Sequence, residues 1–206
     1  MVDPAVRDHI LSGEVKLGGE TRDASILFTD IRNFTGLSEH RDPEEIVEWL
    51  NRFFTEVGQA VAAERGFINK FIGDAVMAVF GAPLAIPDHA DRALRAALGI
   101  RRGIARLNEE FLQKNLPPLR IGIGIHTGRV LAGNIGSASR MEYTAIGDAV
   151  NLASRVEGLC RNLNVDLLLT GETASRLSPG FQLQTLPDSV VKGKEKPVTL
   201  FTIAAA

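Results

Sequence analysis

The chain has 206 residues, of which 45% are hydrophobic and 23% charged, as expected for one soluble globular domain. Its formal net charge of −2 gives no general attraction for nucleic acid or an anionic membrane, so any polyanionic ligand must be bound locally. One cysteine, Cys160, excludes an intrachain disulfide and fits a reducing compartment. The longest charge-free apolar run, residues 75–87, contains Gly81 and Pro83 and is too short to span a bilayer. We therefore expect a cytoplasmic domain without a direct membrane span.

The first half of the chain predicts a linker, a strand and a helix. Residues 1–22 are polar with little periodicity, and we expect them to be a linker from an upstream region, followed by one domain over residues 23–206. Residues 24–31 are nearly all apolar, the pattern of a strand covered on both faces. Asp42 and Pro43 then predict the start of a helix that ends near Gly66.

The second half predicts further strands and two helices. Residues 66–81 predict a hairpin that turns at Gly73-Asp74, and a long helix follows from Asp88 to Pro117-Pro118. Residues 119–127 predict a strand, residues 128–135 another strand across a turn, and Asp148 can cap a shorter helix to about Arg161. Short strands and turns complete the chain. The order matches a ferredoxin-like βαββαβ core with a C-terminal extension, an α+β fold.

Two aspartates, Asp30 and Asp74, follow apolar strands. In a ferredoxin-like sheet the first strand commonly lies beside the third, which would bring both carboxylates to one edge. Taken singly, each is more easily read as a turn residue. Together they suit Mg2+, which prefers hard oxygen ligands and takes one or two carboxylates beside substrate phosphates and water. We predict a pair of Mg2+ ions that hold a nucleoside triphosphate, because two such ions can clamp an in-line phosphoryl displacement.

Two further groups of residues suit a phosphate substrate. The loop that contains Asn33, Phe34 and Thr35 leads into a predicted helix, whose first amides can hold a phosphate. Asn151 and Arg155 are four apart on a predicted helix, so an amide and a guanidinium project together and suit charge that develops on a reacting phosphorus. Alternatively, Arg155 is a surface residue paired with a carboxylate such as Glu157.

Three segments, in this order and at these separations, resemble the catalytic domain of class III nucleotidyl cyclases over about residues 24–203. They are Phe28-Thr29-Asp30-Ile31, Asn69-Lys70-Phe71-Ile72-Gly73-Asp74, and Tyr143-Thr144 through Asn151 to Arg155. The resemblance implies the nucleotidyl cyclase fold and a head-to-tail homodimer, in which metals come from one subunit and the base and transition-state contacts come from the other.

The resemblance also implies a role for each matching position. Asp30, Asp74 and the Ile31 carbonyl would bind the two metals, for which Mn2+ would substitute. Asn151 and Arg155 would position the ribose and stabilise the transition state. The remaining contacts would be the base-reading pair Lys70 and Thr144, and Lys192 on the triphosphate, with Lys194 near enough in sequence to be confused with it.

The base-reading pair favours ATP as the substrate and cyclic AMP with pyrophosphate as products. A lysine can donate to the adenine N1 and a threonine hydroxyl can accept from the 6-amino group, whereas guanine has the reverse pattern. Thr144 in place of aspartate resembles the bicarbonate-responsive branch of the family, which suggests bicarbonate as an activator. Two alternatives are a polymerase-palm-like nucleotidyltransferase, disfavoured by the absence of a basic groove, and a nucleotide-binding pseudo-enzyme, disfavoured because both aspartates, Asn151 and Arg155 are all present.

Overall fold

A computed structural model describes residues 17–39, 41–137, 139–191 and 196–204. The strands are β1 (Gly18–Ile31), β2 (Phe67–Ile72), β3 (Ala75–Phe80), β4 (Ile121–Ser137), β5 (Arg140–Ile146), β6 (Leu167–Thr170), β7 (Gln184–Thr185) and β8 (Leu200–Thr202). The helices are α1 (Phe34–Ser38), α2 (Pro43–Ala63), α3 (His89–Gln113), α4 (Asp148–Asn162) and α5 (Gly171–Ala174). Among these described residues, no helix is both long enough and apolar enough to cross a membrane.

The strand order confirms the ferredoxin-like α+β core. The sheet runs β2-β3-β1-β4, and each of these neighbouring pairs is antiparallel. The C-terminal extension continues the sheet through β6, which is parallel to β4, and then through β8 and β7. Strand β5 pairs with the second half of β4 and lies off the main path of the sheet.

Hydrophobic side chains cover both faces of β1, as its apolar run predicts. Leu27 and Ile31 belong to a large core cluster with α2 and α3, while Ile26 and Phe28 belong to a second cluster with β5 and the start of α4. A third cluster joins α4 to β6 and β8. The sheet therefore lies between α2 and α3 on one side and β5 and α4 on the other.

Three local predictions were wrong. Strand β1 begins at Gly18, so residues 18–22 belong to the sheet and not to a linker; their side chains are largely exposed, and backbone pairing with residues 130–134 holds them in place. The strands predicted at 119–127 and 128–135 are one continuous strand, β4, in which Gly128 pairs with Ala24 and makes no turn. Asp148 is the first residue of α4, and Gly147 occupies the cap position.

Candidate active site

Asp30 and Asp74 lie together at one edge of the sheet. Thr29 pairs with Val76, so the end of β1 lies beside the two-residue turn that precedes β3. The backbone amide of Ile31 donates a hydrogen bond to the Asp74 carboxylate. Burial raises the pKa of Asp74 above its usual range, and the nearby negative charge of Asp30 raises it further. The predicted proximity of the two carboxylates is confirmed.

A third carboxyl group, Glu157 of α4, joins this edge and was missed by the sequence reasoning. Its carboxyl group is hydrogen-bonded to Asp30. Burial, followed by the charge of Asp30 and this hydrogen bond, raises the pKa of Glu157 to about 8, while the positive charge of Arg32 opposes the rise. Without a bound cation, Glu157 therefore keeps its proton at neutral pH and donates it to Asp30. The spacing of Glu157 indicated that it lies on the buried face of α4: it follows Ala153 by four residues and precedes Cys160 by three, and both of these residues are buried.

Two glycines of β4 allow α4 to come this close. A side chain on Gly124 would overlap the backbone of α4 at Glu157 and lie 2.7 Å from the Ala153 carbonyl oxygen. A side chain on Gly122 would collide with the Glu157 carboxyl group, 3.5 Å from Asp30 Oδ1. One turn further along α4, the buried Cys160 thiol donates to the Ile123 carbonyl at 3.3 Å, and burial raises its pKa to about 12. These glycines therefore have a structural role.

The loop after β1 is held in place from both sides. Asn33 has φ 58° and ψ 32°, a left-handed conformation that asparagine tolerates better than most residues, and it occupies the cap position of the five-residue helix α1 without a side-chain cap hydrogen bond. The Arg32 amide donates to the Arg120 carbonyl at 2.7 Å, and its guanidinium donates to the Val165 carbonyl. The side chain of Phe34 packs against the large core cluster, whereas Asn33 and Thr35 are exposed. Contacts of this loop with a phosphate stay a prediction.

The donor atoms at the sheet edge fit a hard divalent cation. Asp30 and Asp74 supply carboxylate oxygens, and Ile31 supplies a backbone carbonyl at the same strand end. Within the described part of the chain, no three His, Cys, Asp or Glu side chains are arranged to hold an ion by themselves. Two carboxylates are nevertheless sufficient for Mg2+ when substrate phosphates and water complete its coordination.

Lys70 and Thr144 are brought together by contacts between β2 and β5. Lys70 Nζ lies 3.0 Å from Glu142 Oε2. The Thr144 hydroxyl donates to Asn69 Oδ1 at 2.9 Å, and Asn69 Nδ2 donates to the Tyr143 carbonyl at 3.0 Å. Thr144 is only 6% exposed, so its hydroxyl has a fixed set of neighbours. The sequence reasoning identified the lysine and the threonine but missed Asn69, which links them.

Asn151 and Arg155 are one turn apart on α4, and Arg155 faces away from the carboxylates of its own chain. Both lie on α4, where Asn151 is exposed and Arg155 half-buried. Successive residues of a helix are about 100° apart, so Arg155 points roughly 160° away from Glu157, which faces Asp30. The alternative pairing of Arg155 with Glu157 is therefore wrong. Lys192 and Lys194 lie outside the described residues, and their phosphate contact stays a prediction.

The chain is similar in sequence to known nucleotide cyclases. A family model for the adenylate and guanylate cyclase catalytic domain matches residues 19–204. The adenylate cyclase of Anabaena cylindrica is 39% identical over 192 residues, which are 90% of this chain and 37% of that protein. Adenylate cyclase 1 of Rhizobium meliloti is 35% identical over 201 residues, which are 96% of this chain and 30% of that protein. The chain thus spans about a third of the length of these relatives.

Solved structures show the same similarity. The adenylyl cyclase CyaB from P. aeruginosa has a TM-score of 0.85 and 31% identity, over 92% of this chain and 97% of that one. The guanylyl cyclase Cya2 has a TM-score of 0.82 and 32% identity, over 91% of this chain and 94% of that one. The similar structures therefore include enzymes named for either purine base. From the family match over residues 19–204 we conclude that the chain belongs to the adenylate and guanylate cyclase catalytic domain family.

Proposed function

We propose that this domain is an adenylate cyclase, which converts ATP into 3′,5′-cyclic AMP and pyrophosphate. The observation that carries the choice of base is that β2 contacts β5 through Lys70, which is bonded to Glu142, and through Asn69, which is bonded to Thr144. Lysine donates to the adenine N1, and the threonine hydroxyl accepts from the 6-amino group. The two relatives above that are named adenylate cyclase, at 39% and 35% identity, support the same choice.

Asp30 and Asp74, with the Ile31 carbonyl, hold the divalent metal ions that this family uses. We propose two Mg2+ ions, for which Mn2+ substitutes. Ions bound there would lower the pKa of the ribose 3′-hydroxyl and would neutralise charge on the leaving pyrophosphate. The protein itself contributes two carboxylates, and burial together with the nearby charge of Asp30 makes the ionised form of Asp74 unfavourable without a cation. Asp30 accepts the hydroxyl proton, and the oxygen attacks the α-phosphorus in line.

The complete site requires a second copy of the chain in a head-to-tail homodimer. Arg155 points away from the carboxylates of its own chain, and Asn151 lies one turn before it on the same helix, so both side chains complete the site built around the carboxylates of the partner. There Asn151 orients the ribose, and Arg155 meets the charge that grows on the phosphorus during the displacement. The loop amides at Asn33, Phe34 and Thr35, together with Lys192, hold the pyrophosphate as it leaves.

Two measurements test this function. The purified chain, incubated with ATP or GTP and Mg2+ or Mn2+, should release cyclic AMP from ATP, identified by chromatography; release of cyclic GMP alone would contradict the assignment. Asp74→Ala and Arg155→Ala chains, each inactive alone, should regain activity when mixed, because a mixed dimer contains one intact site. No recovery from a mixture shown to form mixed dimers would contradict the shared site.

Location, context and regulation are further parts of the proposal. The domain acts in the cytoplasm. The residues before β1 connect it to an upstream region, and the greater length of its relatives supports this connection. Bicarbonate activates it, in keeping with Thr144 at the base-reading position. Cyclase activity measured at constant pH with and without added bicarbonate tests the activation, and an unchanged rate would rule it out.

A further inference from the structure

An irregularity in β2 directs two consecutive side chains towards β5. Ile68 pairs with Ala78 and Lys70 pairs with Met77, so Asn69 is an extra residue in the ladder, a β-bulge. In a regular strand Asn69 and Lys70 would point to opposite faces of the sheet. A bulge changes the direction of a side chain, and here both residues contact β5: Lys70 contacts Glu142, and Asn69 contacts Tyr143 and Thr144.

The hydrogen bonds of Asn69 have only one consistent direction. The Tyr143 carbonyl can only accept, so the Asn69 atom 3.0 Å from it must be the amide nitrogen. The amide oxygen is then the atom 2.9 Å from the Thr144 hydroxyl. Because that oxygen has no proton, Thr144 must donate its single hydroxyl proton to Asn69. What the Thr144 oxygen can still offer to a ligand is a lone pair.

A threonine hydroxyl without this constraint would not distinguish the two purines. A free hydroxyl can rotate, so that it accepts from the 6-amino group of adenine or donates to the 6-oxo group of guanine. In this site, rotation towards a 6-oxo group would break the bond to Asn69 and leave the half-buried amide oxygen without a partner. Such a loss is unfavourable in a partly buried environment.

We propose that Asn69 is a positioning residue for substrate specificity: it fixes the Thr144 hydroxyl as an acceptor, so that the site selects a purine with an amino group at position 6 over one with an oxo group. The inference rests on the proposed function, in which Thr144 faces the base. Asn69 itself touches no substrate and acts through Thr144. The bulge is needed because only the extra residue allows Asn69 and Lys70 to serve the same side of the strand.

The test compares kcat/KM for ATP and for inosine triphosphate, which has an oxo group at position 6 and lacks the 2-amino group of guanine. Asn69→Leu keeps the approximate size of the side chain and removes the amide. We expect it to lower the ATP to inosine triphosphate ratio roughly tenfold, the value of about one hydrogen bond. Thr144→Val should lower the ratio similarly, and Asn69→Leu added to Thr144→Val should change it no further. Purine riboside triphosphate, which has only hydrogen at position 6, reports the contribution of the amino group alone.

Asn69→Asp provides the matched control, because it keeps an acceptor for the Thr144 hydroxyl. It loses the N–H donated to the Tyr143 carbonyl, so overall turnover should fall and the ratio is the readout. Its ratio should stay within about threefold of the original, whereas a collapse of the ratio would overturn the proposal. Equal losses with ATP and inosine triphosphate in Asn69→Leu would also overturn it, because they indicate a purely structural role. If Thr144→Val changes the ratio and Asn69→Leu does not, only the role of Asn69 fails. If neither change affects the ratio, the base-reading role of Thr144 fails and the inference fails with it. If the unmodified chain produces no cyclic nucleotide, the proposed function itself fails.

Discussion

Replacement of Glu157 by glutamine should make the metal-free domain more stable at alkaline pH. Glu157 keeps its proton in the folded domain because it is buried against Asp30, with Asp74 also near and only the positive charge of Arg32 in opposition. Its pKa is about 8 in the fold and 4.5 as the reference value, so between these values the folded chain binds a proton that the unfolded chain has released. The contribution of Glu157 to stability is therefore fully present below about pH 4.5 and is lost as the pH rises to about 8.

The size of the effect follows from this difference. Each unit of pKa difference corresponds to about 1.4 kcal/mol, so the contribution falls by on the order of 3 kcal/mol between pH 5 and pH 8. Glutamine has nearly the same shape and still donates an N–H to Asp30, but it cannot titrate. The unfolding free energy of Glu157→Gln should therefore depend less on pH over this range.

Urea denaturation in the presence of EDTA, at intervals from pH 5 to pH 8, measures this difference. Glu109→Gln is a suitable control because Glu109 is exposed on α3, and its profile should match that of the unmodified chain. Added Mn2+ should reduce the difference between the pH profiles of Glu157→Gln and the unmodified chain, because a cation bound to Asp30 offsets the negative charge that favours the proton on Glu157. Parallel pH profiles for Glu157→Gln and the unmodified chain would refute the reasoning.

Three further substitutions test other parts of the site. Asp74→Asn should abolish turnover and weaken Mn2+ binding, measured by calorimetry, and unchanged Mn2+ affinity would contradict the metal assignment. The same change should stabilise the metal-free fold, because it removes a half-buried negative charge near Asp30. Arg155→Ala should lower kcat by roughly 10²–10³ with little change in KM, because it acts on charge that develops in the transition state; a change confined to KM would indicate ground-state binding. Gly124→Ala should lower the thermal midpoint, because the added methyl group overlaps the backbone of α4, and an unchanged midpoint would show that the helix can shift freely.

The positions of the two aspartates could be predicted because they depend on features that a sequence displays. Each follows an apolar strand, and the alternation of strands and helices places the first strand beside the third. The buried stripe of α3, which includes Ile100, Leu107 and Phe111, likewise has the helical periodicity that a sequence displays. Local pattern and common topology were sufficient for these elements.

The features that were missed depend on contacts between distant segments. Glu157 reaches Asp30 only because Gly122 and Gly124 lack side chains on the facing strand, and no pattern within α4 identifies that strand. The bulge at Asn69 is a shift of register between β2 and β3, and nothing in the residues around it marks an extra position. Gly128 was interpreted as a turn, yet pairing with β1 keeps it within a single strand.

The only cysteine in the chain gives experimental access to the helix that carries Asn151 and Arg155. The Cys160 thiol is 1% exposed, bonded to the Ile123 carbonyl, and has a raised pKa, so alkylating reagents, which require an accessible thiolate, should reach it only when α4 separates from β4. The rate of labelling by iodoacetamide therefore measures how often this helix opens. No other thiol has to be removed first, and a fluorophore or spin label can be introduced on the surface while Cys160 remains protected in the folded state.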